Sequence, residues 1–507
     1  MSTEAPRARL SNATLGNLRQ GTLAQDILRP RYDRSALKTG IVHLGVGAFH
    51  RAHQAVYTEA ALAAGDLRWG ITGVSLRNPD MRDALMPQDG LYTVAERASD
   101  GERLHVVGAL RDILVAPENP AAVLARLVAP EVAIVSITVT EKGYCHDPAT
   151  GELDEAHPDI VHDLAHPDAP RSLPGYLLRA IALRRSEGHA PFTIMSCDNL
   201  SENGQTTRRV LMRFAQLAAP ELVGYIANEI ACPDTMVDRI VPATTDADRA
   251  RIADAIGLTD AWPVVTEPFS QWVIEDHFPA GRPDWASAGA TLSHDVPAFE
   301  AMKLRLLNGS HSAIAYLGQL AGYETVADAI ADPGIAGFID RLMDEAAVTL
   351  RLPAEVDIGS YRRSLIERFG NTALDHRTAQ IASDGSQKLP PRVLNPIRDR
   401  LARGLPVQAH ALVVAAWMRF VSRAEVLDNP TLLRDPLAEQ ITTIARRTSG
   451  ESEQLVEGLL SLKPIFGDDL PATPLFRTAV VNALNSLQRT DARGTAALYG
   501  RRGEADA

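Results

Sequence analysis

Gly40-Ile41-Val42-His43-Leu44-Gly45-Val46-Gly47-Ala48-Phe49-His50 is the stretch that decides the fold. Its first half is a short apolar run of the kind that forms a strand buried on both faces. Gly45-Val46-Gly47 then turns the chain, and the alanine-rich residues 51–64 have the composition of a helix that ends near Gly65. A strand, a glycine turn and a helix in direct succession start a dinucleotide-binding unit, where backbone N–H groups hold a pyrophosphate. Gly45, Gly47, Ala48 and Phe49 are the candidate cofactor contacts. Only two of the three fingerprint glycines are present, because His50 stands at the third position.

Working outward, residues 70–76, 132–139 and 192–196 are further apolar or β-branched runs, separated by helical stretches. Alternation of this kind predicts a Rossmann-like, doubly wound α/β domain with a parallel sheet. In such sheets the residues just past the carboxyl ends of the strands face the ligand. Past the second strand come Ser75-Leu76-Arg77-Asn78-Pro79-Asp80; Arg77 suits a 2′-phosphate and Asp80 suits ribose hydroxyls, so NAD and NADP both stay open. Past residues 192–196 comes the polar cluster Cys197-Asp198-Asn199. From about residue 296 strand patterns thin out and helical ones dominate, at 302–320, 335–350 and 409–422. The expected organisation is a dinucleotide-binding domain over 1–295 and a mainly α-helical domain over 296–507, with a frayed tail from about Asp491.

Composition narrows the function. In 507 residues, 51 Lys and Arg face 63 Asp and Glu, a net charge of -12, and no basic block could neutralise a run of phosphates, which argues against nucleic acid. Three cysteines without a C-x-x-C pair make no disulfide framework and fit a reducing, cytoplasmic compartment. No apolar stretch reaches the roughly 18–20 residues needed to cross a bilayer. Nothing in the sequence points to a protein partner.

Around Lys303 the pattern is chemical. On an α-helix at about 100° per residue, Glu300, Lys303, Asn308 and His311 project at roughly 60°, 0°, 140° and 80°, on one face that also carries Leu307. Partial desolvation there lowers a lysine's pKa toward the range useful for proton transfer. Asn308-Gly309-Ser310 weakens a helix interior, a local conflict expected where function outweighs stability. His50 and His53 lie far from His311 in sequence, and no carboxylate or thiol completes a ligand set, so no metal is expected.

Several blocks together carry a resemblance: residues 41–55, Thr138-Val139-Thr140-Glu141-Lys142-Gly143-Tyr144, Met195-Ser196-Cys197-Asp198-Asn199, Met236-Val237-Asp238-Arg239-Ile240, Glu267-Pro268-Phe269-x-Gln271-Trp272-Val273, and Lys303-x-x-Leu306-Leu307-Asn308-Gly309-Ser310-His311. In this order, from about residue 40 to 480, the chain resembles the polyol-specific long-chain dehydrogenases. The resemblance implies a metal-independent secondary-alcohol dehydrogenase using NAD(P). It implies Lys303 as the general acid/base, Asn199 and Asn308 as donors to the reacting oxygen, His311 as the residue orienting substrate, and Glu300 as the gate of a proton path. Paired amide donors do stabilise the charge that develops between ketone and alcohol. A nucleotide-sensing protein without catalysis would be marked by a missing proton-transfer residue, and Lys303, Asn308 and His311 are all present.

For the substrate, the mannitol dehydrogenases of the family carry an arginine eight residues before the lysine of a D-G-S-x-K motif. Here Asp384-Gly385-Ser386-Gln387-Lys388 is present, but Gln380 stands in the arginine's place. Residues 376–390 and Lys303-Leu304-Arg305 are more similar to members that reduce D-fructuronate to D-mannonate. A uronate needs cations, and Arg377 and Lys388, with Arg392, are the candidates. Mannitol or arabinitol oxidation is the alternative.

Overall fold

The computed structural model describes residues 7–19, 27–147, 150–353, 356–448 and 451–501. It divides into two compact units, Met1–Pro297 and Ala298–Ala507. The first is built on a five-stranded sheet of β1 (Thr39–Leu44), β2 (Gly70–Ser75), β5 (Leu110–Val115), β6 (Ile134–Ile137) and β7 (Thr193–Ser196). Its strand order is β5-β2-β1-β6-β7. All four pairings are parallel, with Val42 opposite Thr72 on one side and Val135 on the other. Because the order reverses between β1 and β6, both strands point their carboxyl ends at the topological switch point, where doubly wound sheets bind ligands. Val42, Leu44, Val74, Val135 and Ile194 are wholly buried at its centre, as expected of strands covered by helices on both faces.

Outside this sheet the first unit holds elements that the sequence pattern did not reveal. β3 (Tyr92–Ala98) and β4 (Gly101–Val107) form an antiparallel hairpin, and β9 (Val264–Thr266) adds to β3 in parallel. A third sheet sets β10 (Gln271–Glu275) between β8 (Thr235–Asp238) and β11 (Thr291–Ser293). The edge strand β5 was also unanticipated. The expected helix over 51–64 begins earlier, at Ala48, and is two helices, Ala48–Ala52 and Gln54–Ala63. The break falls at His53, whose φ of -122° and ψ of -90° lie outside the helical region.

The second unit is helical. Helix starts obey the cap chemistry: Pro333 opens Pro333–Ala347 behind Asp332, whose side chain accepts the Gly334 N–H. The long helix Gln408–Val421 is buried along most of its length. Residues 491–501 are not frayed: Asp491 caps the helix Ala492–Tyr499, which packs on Pro333–Ala347; the rest of the expected tail, 502–507, lies outside the described residues. Among the described residues no helix is long and apolar enough to cross a membrane.

Candidate active site

The phosphate loop has two glycines with different duties. Gly45 has φ +99°, and a Cβ there would strike the Thr138 carbonyl, so backbone geometry alone demands glycine. Gly47 has φ -79° and caps the helix Ala48–Ala52, and an added Cβ would meet nothing within 4 Å. No protein atom among the described residues explains a glycine at 47, whereas a ligand approaching the backbone would. The first turn of that helix, with Ala48 and Phe49, has N–H groups without helical partners, the donor set a pyrophosphate takes.

Behind the loop lies a buried histidine. Thr138 Oγ1 donates its single proton to the Gly45 carbonyl at 2.7 Å. His43 Nε2, 2.8 Å from that hydroxyl and 2.9 Å from the same carbonyl, must therefore carry the imidazole proton. His43 Nδ1 then accepts from Ser136 Oγ at 2.8 Å. Burial pushes the His43 pKa down to about 3, so the ring is neutral. His50, at the third fingerprint position, stacks on His43 with ring centroids 3.3 Å apart. Helix and strand thus meet through an aromatic pair rather than through the missing glycine.

At the other strand ends, Arg77 and Asp80 are both exposed, with Asp80 opening the helix Asp80–Leu85. Asp198 gathers three donors: the N–H groups of Val139 at 2.9 Å and Thr140 at 3.0 Å, and the Tyr144 hydroxyl at 2.8 Å. Burial raises its pKa, and these bonds offset part of the rise. The carboxylate also pins Thr140 at φ +65°, a conformation a β-branched residue adopts only when its surroundings impose it. Asn199 comes directly after it and is exposed.

In the second unit the sequence pattern misjudged the helix. Glu300 lies on the helix Val296–Met302, half-buried, but Lys303–Asn308 is a π-helix, and the α-helix resumes only at Gly309–Ala321. The wider π turn replaces the projection angles expected for an ordinary helix, and π-bulges are frequent at functional sites. Lys303 and His311 are buried at 7% and 8% exposure, and Asn308 is half-buried. A second π-helix, Pro390–Leu394, packs on the first. Pro390 and Pro391 each remove an N–H from the ladder there. The two approach closely because residue 309 is glycine: a Cβ would lie 3.1 Å from the Arg392 carbonyl.

His311 is the centre of a cationic cluster. Phe369 packs at 4.9 Å and His376 edge-on at 5.2 Å. Burial, then the charges of His376, Arg368, Arg392 and Lys303, push its pKa far down, so it is a neutral imidazole. Its Nε2 is buried and hydrogen-bonds to no protein atom among the described residues. His376 is also shifted down, by burial and Arg368.

The expected substrate cations fall in different places. Residues 376–378 run extended against 324–326: the Val326 N–H donates to the His376 carbonyl, and the Thr378 N–H to the Glu324 carbonyl. Alternation along an extended segment sends neighbouring side chains to opposite faces, so His376 points at His311 while Arg377 points out. Arg377 is 57% exposed and pairs with Asp375 and Glu324. Arg377 thus lies on the outer side of this bridge, one residue from His376. Lys388 donates to the Ile381 carbonyl at 3.2 Å and to Ser383 Oγ at 3.3 Å; burial and Arg392 lower its pKa. Gln380 is exposed. Arg368 and the inward turn of His376 escaped the sequence reading, since neither leaves a local pattern. No cluster of three or more His, Cys, Asp or Glu residues among those described is arranged to hold a metal.

Against known proteins, residues 39–287 match the mannitol dehydrogenase Rossmann domain and residues 295–488 the mannitol dehydrogenase C-terminal domain. The chain is 46% identical over 474 residues to the D-mannonate oxidoreductase of Escherichia coli, covering 92% of this chain and 97% of that one. It is 42% identical over 471 residues to a mannitol 2-dehydrogenase of Aspergillus fumigatus, covering 91% and 93%. Among solved structures, the Pseudomonas fluorescens mannitol 2-dehydrogenase in ternary complex with NAD and D-mannitol superposes with a TM-score of 0.83 at 37% identity, over 98% of this chain and all of that one.

Proposed function

The chain belongs to the mannitol dehydrogenase family of oxidoreductases, and from that premise we propose that it uses NAD to interconvert a ketose-type sugar acid and its secondary alcohol, D-fructuronate and D-mannonate being the best pair. The observation that carries the choice of acid is the 46% identity over 474 residues to a D-mannonate oxidoreductase. The charges of Arg368, Arg392 and Lys303, which act on His311, are compatible with an anionic ligand.

NAD would be held by the Gly45–Gly47 turn and the first turn at Ala48 and Phe49, with Asp80 or Arg77 toward its adenosine ribose; when bound it supplies the hydride acceptor and donor. The open space at Gly47 fits that placement. Lys303 Nζ takes the hydroxyl proton when the alcohol is oxidised and returns one to the oxygen when the ketone is reduced. Asn199 and Asn308 donate N–H groups to that oxygen as charge develops on it. His311, held toward its neutral form by burial, orients a substrate hydroxyl through Nε2. Glu300, one turn before Lys303, passes the proton onward.

Spectrophotometric assays with fructuronate and fructose, each with NADH and NADPH, test the reading. Fructuronate should exceed fructose in kcat/KM by at least roughly tenfold, the value of one charge-assisted pair. A preference for fructose would instead make the protein a polyol dehydrogenase.

A further inference from the structure

The motif Asp384-Gly385-Ser386-Gln387-Lys388 opens the helix Gly385–Leu389, which runs straight into the second π-helix, Pro390–Leu394. Its start is unusual. The first N–H groups of a helix are normally taken by the side chain of the residue before it, held in extended backbone. Asp384 fills that position at φ +53° and ψ +37°, left-handed, and its side chain makes no cap bond. A residue other than glycine keeps that conformation only where its surroundings impose it.

The missing cap comes from Asp435, 49 residues further along the chain. The Ser386 N–H donates to Asp435 Oδ2 at 2.8 Å, and the Ser386 hydroxyl donates to Oδ1 at 2.6 Å. The Leu437 N–H holds the same carboxylate at 2.9 Å, and the Asp384 N–H donates to the Arg434 carbonyl at 3.1 Å. Ser386 is buried, and bonds to a carboxylate are the strong kind. Between these bonds Gly385 is seated tightly: a Cβ there would lie 2.5 Å from Trp417 Nε1 and 2.8 Å from the Tyr316 hydroxyl.

The seating reaches beyond the motif. Gly385 lies against Tyr316, and the Arg392 carbonyl lies against Gly309. The two contacts are seven residues apart on each segment, so residues 385–392 run antiparallel to 309–316 with matched spacing. Gly309 follows directly on Lys303–Asn308, and the two π-helices pack on each other.

We infer that Asp435 is a positioning residue of the reaction: by holding both donors of Ser386 it seats residues 385–394, which in turn keep the π turn of Lys303 and Asn308 in its working geometry. Asp435 acts through Ser386 and not on the substrate. The inference rests on the reading of Lys303 and Asn308 as groups that act on the reacting oxygen.

The test compares wild type, Asp435→Ala, Asp435→Asn and Ser386→Ala. It measures kcat and KM with NADH for the better of fructuronate and fructose, the NADH dissociation constant and the thermal midpoint, with kinetics taken well below each midpoint. A misplacement of about 1 Å can cost on the order of 10²-fold in rate. Asp435→Ala should therefore lose roughly 10- to 100-fold in kcat, with NADH affinity unchanged. Asp435→Asn, which keeps one acceptor oxygen, and Ser386→Ala, which keeps the N–H, should lose less. Wild-type kcat in a folded Asp435→Ala, whatever its midpoint, overturns the inference, and so does a loss confined to KM. If Asp435→Ala fails to fold by circular dichroism, Asp435→Asn and Ser386→Ala decide by the same kcat. Lys303→Ala, run alongside, separates the two readings: turnover within a few fold of wild type there removes the premise, whatever the Asp435 variants do.

Discussion

The two units position their functional residues by opposite means. In the first, regular strands end together and short bonds hold the loops beyond them: Asp198 fixes Val139, Thr140 and Tyr144, and His43 with Thr138 fixes the Gly45 carbonyl. In the second, the regular element is itself broken, and two π-helices carry Lys303, Asn308 and Arg392. A strand end offers backbone N–H groups, which suit phosphates and other groups that every dinucleotide shares. A π-bulge offers side chains at unusual angles, which suits the groups that tell one substrate from another. On the proposed reading, general binding would sit on the regular scaffold and the chemistry on the irregular one.

The sharpest break in that division would come from Lys303. Lys303→Ala should lower kcat by about 10² to 10⁴, with the dissociation constant of NAD nearly unchanged, as measured by fluorescence titration. Turnover within a few fold of wild type would remove the π-helix from the chemistry. Next in size are Asn199→Ala and Asn308→Ala. Each should lose about 10² to 10³ in kcat if it donates to the developing charge. A loss confined to KM for either would show that this residue only binds.

The same contrast explains how much the sequence disclosed. β1, β2, β6 and β7 were visible because strands buried on both faces are nearly continuous apolar runs, and the order of strand, turn and helix announced the loop. The hairpin β3–β4 and the edge strand β5 were not, since Glu96, Arg97, Glu102 and Arg103 interrupt the hairpin's apolar pattern and Arg111 and Asp112 that of β5. In the second unit Lys303, Asn308 and His311 were legible as residue types, yet their angles were not, because nothing local separates a π turn from an α turn. The outward turn of Arg377 has the same root. Which of two neighbours faces inward depends on pairing with residues 324–326, and a non-local bridge leaves no mark in a local pattern.

Of smaller effect, the two loop glycines sharpen the comparison within the first unit. Gly47→Val should keep the fold, as φ -79° suits any residue and the space is open, and should raise the NAD dissociation constant by about tenfold or more. Gly45→Ala should instead cost stability, since the alanine must adopt φ +99° against the Thr138 carbonyl. Thermal unfolding and NAD titration of both variants separate the two effects; unchanged NAD affinity in a folded Gly47→Val would place the phosphate site elsewhere.

The smallest expected effect asks whether the helical unit's irregular turns depend on a rigid frame behind them. Helix Pro333–Ala347 packs against the first π-helix. On it Glu345, 3% exposed, accepts from the Ala409 N–H at 3.0 Å, the His410 N–H at 3.3 Å and His410 Nδ1 at 2.9 Å, which ties that helix to the start of Gln408–Val421. Burial alone would raise its pKa, but the bonds from His410 and Ala409 and the charge of Arg400 outweigh it and hold the carboxyl below its ordinary range. A carboxylate whose folded pKa is depressed contributes stability that is complete above the unfolded value of about 4.3 and is lost as pH falls through the folded one. Glu345→Gln keeps an acceptor and loses the charge, so it should cost about 1 to 3 kcal/mol at pH 7, while below about pH 4 the gap to wild type should shrink. Thermal melts between pH 3 and 7 check this. A gap that stays constant across that range would mean that Glu345 acts through shape alone, and that the frame behind the π-helix owes nothing to its charge.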